Sequence, residues 1–128
     1  MKSIDEISSD VIGTSMAIHR EIGPGLLESV YEAILAKKLA RLGYEVERQK
    51  PVEFSFEDMH FPAAFKVDLL VDRRLVVELK SIERLQPVHT KQLLTYLRLM
   101  KLPVGLLVNF GCDTLKEGIK RVVNKHDD

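Results

Sequence analysis

Apolar positions recur along this chain at two spacings, and the change between them divides it into elements. Helical spacing runs from about Ser8 to Ile22 and must stop at Gly23-Pro24-Gly25, which cannot continue a helix. A second helix is predicted from near Leu26 to about Leu42, with Val30, Tyr31, Ile34, Leu35, Leu39 and Leu42 as its apolar stripe and Gly43 as its stop. The pattern then becomes extended: Tyr44 to Gln49 with a continuation past Pro51 to Phe56, Phe61 to Val71, and Leu75 to Lys80. Pro87 opens a third helix over Val88 to Lys101, Pro103 closes it, Val104 to Asn109 reads as a buried strand, and a last helix is expected from about Thr114 to Asn124. The order α-α-β-β-β-α-β-α predicts an α/β fold with a mixed β-sheet flanked by helices, its β-α-β step closing as a right-handed crossover.

Register turns one stretch of this pattern into chemistry. In Phe65 to Ser81 two apolar strands flank the charged turn Asp72-Arg73-Arg74. If that turn closes a hairpin, Val71 faces Leu75, Leu69 faces Val77 and Val67 faces Leu79, which gives one wholly apolar face. The opposite face then sets Asp68 across from Glu78 and Lys66 near Lys80, because side chains alternate with period two. Two like charges directly opposed cost a sheet about 0.2 to 1 kcal/mol when exposed, and desolvation deepens the conflict. A divalent cation shared by both carboxylates resolves it. Oxygen ligands without cysteine or clustered histidine favour Mg2+ or Mn2+ over Zn2+. Lys80, two residues beyond Glu78 on the same face, would place an ammonium beside that ion, where it can orient a water and offset charge building on a phosphoryl group. An ordinary charged surface on a half-exposed sheet accounts for the same residue types.

Composition narrows the setting. The 128 residues suffice for one domain, 1–128, and are too few for two of ordinary size. Apolar residues at 45% exclude a disordered chain. Lys plus Arg and Asp plus Glu both number 19, so no bulk field draws the chain to nucleic acid or a membrane, and any such attraction must be local. Cys112 is the sole cysteine, which excludes an intramolecular disulfide. With no leader pattern at the N-terminus and no 18-residue apolar run, a cytoplasmic protein without a membrane partner is expected.

Three further side chains stand out. Helical projection places Glu28 inside the apolar stripe of the second helix, between Leu35 and Leu39, where a carboxylate is costly unless paired or bound to a cation; a first-turn acid favouring the helix dipole is the alternative. On the third helix Gln92 and Tyr96 are four apart and share a face, so their polar tips reach toward one place, although a tyrosine beside Leu93 and Met100 equally suits a core with its hydroxyl at the rim. His89 suits a cap better than a phosphate contact, and His19 reads as structural.

These residues resemble the family named for its GxxExxY motif, present as Gly25-Leu26-Leu27-Glu28-Ser29-Val30-Tyr31. The likeness runs from about Ile22 to Val123 through VDLLVDRRLVVELKS, PVHTKQLLTYL and GLLVNFG. It implies the PD-(D/E)XK phosphodiesterase superfamily, with a restriction-endonuclease-like core of order α-β-β-β-α-β. It further implies a Mg2+-dependent nuclease site in which Glu28, Asp68 and Glu78 hold the metal, Lys80 joins them in catalysis, and Gln92 and Tyr96 resemble the Gln-x-x-x-Tyr helix of recombination-type exonucleases. Val67 stands where the superfamily name has proline, a position that supplies no catalytic atom.

The resulting expectation is a metal-dependent nuclease or phosphodiesterase acting on nucleic acid, DNA ahead of RNA. Lys37, Lys38, Arg41, Arg48 and Lys50, with Arg73, Arg74 and Arg84, are candidates for a local basic patch. The competing reading is a non-catalytic module of the same fold that binds nucleic acid or protein; retention of Glu78 and Lys80 argues against it. A homodimer would reconcile a small protomer with a long substrate.

Overall fold

The computed structural model of the chain describes residues Met1 to Lys125. Its elements run α1 (Ile4–Ile22), α2 (Glu28–Arg41), β1 (Val46–Phe56), β2 (Met59–Val71), β3 (Leu75–Lys80), α3 (Pro87–Met100), β4 (Val104–Asn109), α4 (Leu115–Gly118) and β5 (Ile119–Val123). The five strands form one sheet in chain order; β3 and β4 are parallel, joined through α3, and the other neighbours are antiparallel. The expected mixed α/β architecture is present.

Two layers of helix cover this sheet. Against α1 and α2 lie Leu69, Val71, Leu75, Val77, Leu79, Val104, Leu106 and Val108, and under α3 lie Leu70, Val76, Leu107 and Val122. β3 and β4 are therefore covered on both sides, which explains why their sequences are continuous apolar runs rather than alternating ones. No helix among the described residues is long and apolar enough to cross a membrane.

Helix ends follow from local chemistry. α1 begins four residues before the expected Ser8, because Ser3 and Glu6 form a reciprocal cap: the Glu6 amide donates to Ser3 Oγ at 3.1 Å and the Ser3 amide donates to Glu6 Oε1 at 2.9 Å. His89 caps α3 by accepting the Gln86 amide at Nδ1, 2.9 Å away. His19 is structural as read: buried, it donates from Nε2 to the Cys112 carbonyl at 2.8 Å and lies beside Phe110.

Three expectations are corrected. The chain from Thr114 to Asn124 is not one helix: a single helical turn precedes β5, which pairs with β4 from Val108↔Ile119 to Val104↔Val123. β4 would otherwise be an open edge, and the β-branched Ile119, Val122 and Val123 suit a strand that closes it. The buried ridge of α2 is Tyr31, Glu32, Leu35, Ala36 and Leu39, whereas Val30, Leu42 and Glu28 are exposed, so Glu28 is not aimed at the core. The projection was skewed by Val30, Ile34 and Leu42, apolar residues on the rim of the stripe. Finally, Val67 does not face Leu79. It packs under α3 while Leu69 and Leu79 pack under α1 and α2, because β2 leaves β3 at this point.

Candidate active site

The site is built where β2 and β3 separate. Their hairpin turns through Asp72 and Arg73, both with left-handed backbones (φ 52° and 57°), and Asp72 Oδ1 accepts the Glu45 amide at 2.8 Å. The register is the expected one over Val71↔Leu75, Leu70↔Val76 and Leu69↔Val77, and there the ladder ends. In place of a next rung, the Asp68 amide donates to Glu78 Oε2 at 2.7 Å, and the Leu79 amide donates to Asp68 Oδ2 at 2.9 Å. Each carboxylate thus satisfies a backbone donor released by the separation, which holds both acids side by side at the fork.

That arrangement is electrostatically costly. Glu78 is only 6% exposed, and its burial, followed by the neighbouring Asp68 charge, pushes its carboxyl up to about 8. The hydrogen bond from the Asp68 amide and the Lys80 ammonium pull the other way, and Glu32 adds to the upward push. Lys80, half-buried, makes no hydrogen bond or ion pair through its ammonium among the described residues. Tyr96 from α3 stacks on Phe65 with ring centres 4.1 Å apart; burial first, then Glu78 and Asp68, raise its phenol.

The β1 side of the fork is also irregular. Arg48↔Leu69 and Lys50↔Val67 pair, but Gln49 between them has φ 49° and makes no rung opposite Asp68. Its amide Nε2 donates to Glu32 Oε1 at 2.7 Å and to Asp68 Oδ1 at 3.1 Å. Arg48 Nε donates to Glu32 Oε2 at 3.0 Å. A left-handed backbone at a non-glycine residue costs about 1 to 3 kcal/mol and persists where its surroundings enforce it; here the side chain ties the buried Glu32 of α2 to Asp68. Glu32 and Gln49 were missed in the sequence. Glu32 was legible only from the correct ridge of α2, as the residue beside Tyr31 and one turn from Leu35 and Ala36.

The other sequence candidates stand on α2 and α3. Tyr31 stacks on Phe110 at 4.4 Å, donates its hydroxyl to the Gly23 carbonyl at 2.6 Å and accepts the Leu26 amide at 3.2 Å, so it pins the loop in which Gly25 needs a left-handed φ of 115°. This leaves Glu28 exposed at the first position of α2, where it accepts the Ser81 amide at 3.3 Å, just past Lys80, and lines a hollow with Gly25, Ser81, Ile82 and Gly111. Gln92 is exposed one turn before Tyr96 and forms no hydrogen bond through its side chain among the described residues.

Among the described residues no group of three or more His, Cys, Asp or Glu stands close enough to hold one ion. Asp68 and Glu78 are what the chain offers a cation: two hard oxygen donors already anchored through their inner oxygens, with Glu78 Oε1 accepting no hydrogen bond among the described residues. Two carboxylates completed by water and substrate oxygens fit Mg2+, which keeps much of its hydration shell.

A family model described as the PD-(D/E)XK nuclease superfamily matches residues 5–122. No curated protein and no solved structure matches the chain. The match spans every element from α1 to β5, and the apposed carboxylates lie on the strands where the Asp and the Glu-x-Lys signature was read. The chain belongs to the PD-(D/E)XK nuclease superfamily.

Proposed function

We propose that this chain, a member of the GxxExxY branch of its superfamily, is a divalent-metal-dependent nuclease that hydrolyses phosphodiester bonds of nucleic acid at the fork between β2 and β3. The observation that carries this reading is the pair of hydrogen bonds across the fork, from the Asp68 amide to the Glu78 carboxylate and from the Leu79 amide to the Asp68 carboxylate, which holds two acids together at an energetic cost that a cation would offset. A bound Mg2+ or Mn2+ would polarise the scissile phosphate and make its water a better nucleophile at neutral pH.

The chain's own groups supply the remainder. Asp68 and Glu78 present the donors, and their inner oxygens stay on backbone amides, so neither side chain must be ordered when the ion arrives. Lys80, whose ammonium has no hydrogen-bond or ion-pair partner among the described residues, stands beside the pair, suited to orienting the attacking water and to meeting negative charge as it builds on the phosphate. In this reading Glu32, held by Arg48 and Gln49, orients Asp68 and completes the negative field. In the same reading Glu28, which reaches Ser81 just past Lys80, and Gln92 and Tyr96, on α3, would touch the substrate away from the metal.

The test is a Mn2+ titration of the wild type and of Asp68→Ala and Lys80→Ala, followed by incubation with single- and double-stranded DNA and RNA. Asp68→Ala should lose both metal and cleavage. Lys80→Ala should bind metal as the wild type does and cleave nothing. Wild-type metal binding without cleavage of any polymer would favour a non-catalytic binding module; unaltered cleavage by Lys80→Ala would remove that residue from the mechanism.

A further inference from the structure

Beyond Asp68 the β1–β2 ribbon continues with no third strand beside it among the described residues. Pairing runs on through Lys50↔Val67 and Val52↔Phe65, shifts register once, and ends at Phe54↔Phe61 and Phe56↔Met59. These last three pairs stand on one side of the ribbon. Phe54 stacks against both Phe56 and Phe61 at 6.4 Å, and Phe56, Met59 and Phe61 are 54%, 48% and 43% exposed. The reverse side is polar, with Ser55 and Glu53 both engaging His60. An amphipathic ribbon with its apolar side in water is unusual, because contiguous exposed apolar surface generally marks a contact.

The position of this face indicates what covers it. At its inner end Phe65 stacks on Tyr96, and Tyr96 feels the charges of Glu78 and Asp68. The aromatic surface therefore starts at the acid pair and runs outward along the ribbon. Its electrostatics do not suit a duplex, whose binding is dominated by phosphate neutralisation: the chain is neutral overall, and the ribbon tip carries Glu57 and Asp58. Unpaired bases, by contrast, can present their faces to aromatic rings, and each stacked base contributes about 1 to 3 kcal/mol. Val52, Phe54, Phe56, Met59, Phe61 and Phe65 offer no polar side-chain group to a ribose 2′-hydroxyl, so RNA gains nothing on this face from the hydroxyl that it must desolvate there.

We infer that the apolar face of the β1–β2 ribbon is a stacking platform for the bases of single-stranded DNA and leads that strand into the Asp68–Glu78 fork. This rests on the nuclease reading and names its substrate class. Phe56 and Phe61 are the outer rings of the platform, and Tyr96 with Phe65 is its inner step.

The experiment measures binding of fluorescein-labelled oligo(dT), oligo(rU) of equal length and a mixed-sequence duplex by anisotropy in EDTA, which prevents cleavage. Proteins are the wild type, Phe56→Ser/Phe61→Ser and Phe56→Trp/Phe61→Trp, with folding checked by thermal melting and mass in solution by light scattering. The serine pair should lose about tenfold or more in oligo(dT) affinity, the tryptophan pair should retain it, and the wild type should bind oligo(dT) more tightly than oligo(rU) or duplex. Unchanged oligo(dT) affinity in the folded serine pair overturns the inference. So does tighter binding of oligo(rU) or duplex, or a wild-type dimer that the serine pair dissolves without a change in DNA binding. The nuclease reading is scored separately, by metal binding of Asp68→Ala, to which the ribbon rings contribute nothing.

Discussion

At the scale of single residues, Glu78 has the sharpest consequence. Its carboxyl titrates at about 8 in the folded protein and near 4.5 when unfolded, so between those values the folded state holds a proton that the unfolded chain has released. Stability of the metal-free protein is therefore greatest below the lower value and falls as pH rises through the upper one. Urea titrations in EDTA across that window should show this decline, Glu78→Gln should flatten it, and a saturating divalent ion should release a proton and bind more tightly as pH rises. A second expectation concerns the two glutamates of α2. Glu32 is tied to Asp68 through Gln49, while Glu28 reaches Ser81. Glu32→Gln should lower metal affinity by about tenfold, the usual effect of disturbing a partner that orients a ligand, and Glu28→Gln should leave it unchanged; calorimetric Mn2+ titration of both variants separates them.

At the scale of elements, the parallel pair β3–β4 determines where Lys80 stands. The Phe110 amide donates to the Lys80 carbonyl at 2.8 Å, and the buried Asn109 side-chain carbonyl accepts both the Ile82 and the Gly111 amides at 3.0 Å. The exits of the two strands are thereby clamped. Gly111 is required because a Cβ there would meet the Ile82 carbonyl oxygen at 2.1 Å and its nitrogen at 2.6 Å. Gly111→Ala must push the segment after Lys80 away. A loss of about 1 to 3 kcal/mol, the usual range for overpacking, is expected in chemical denaturation. The GLLVNFG run was visible in the sequence as a strand and its exit, but a glycine's need for close approach depends on a neighbour 29 residues away in the chain, and no local pattern contains it.

At the scale of the whole molecule, charge is balanced, with 19 acids and 19 bases. Several bases of the expected patch are also committed within the protein: Arg48 to Glu32, Lys50 to Glu47 and Arg73 to Glu45. Duplex binding should therefore fall with salt at a slope of log affinity against log salt no steeper than about −5, since five bases of the patch remain outside these ion pairs and each neutralised phosphate contributes about one; anisotropy across a salt series measures it.

The sequence by itself determined which strands exist at the centre and how β2 meets β3. Alternation of apolar side chains tolerates no one-residue slip, so Leu69, Val71, Leu75 and Val77 specify their own register and bring Asp68 toward Glu78. The tertiary structure alone decided what happens next: that the ladder stops at the acids, that Gln49 bends to reach them, that Glu32 rather than Glu28 lies on the buried side of α2, and that Ile119 to Val123 closes the sheet as a strand. Each depends on groups distant in the chain competing for the same backbone donors or the same buried space. Periodicity records which side of an element is apolar, and it carries no information about which partner arrives to cover it.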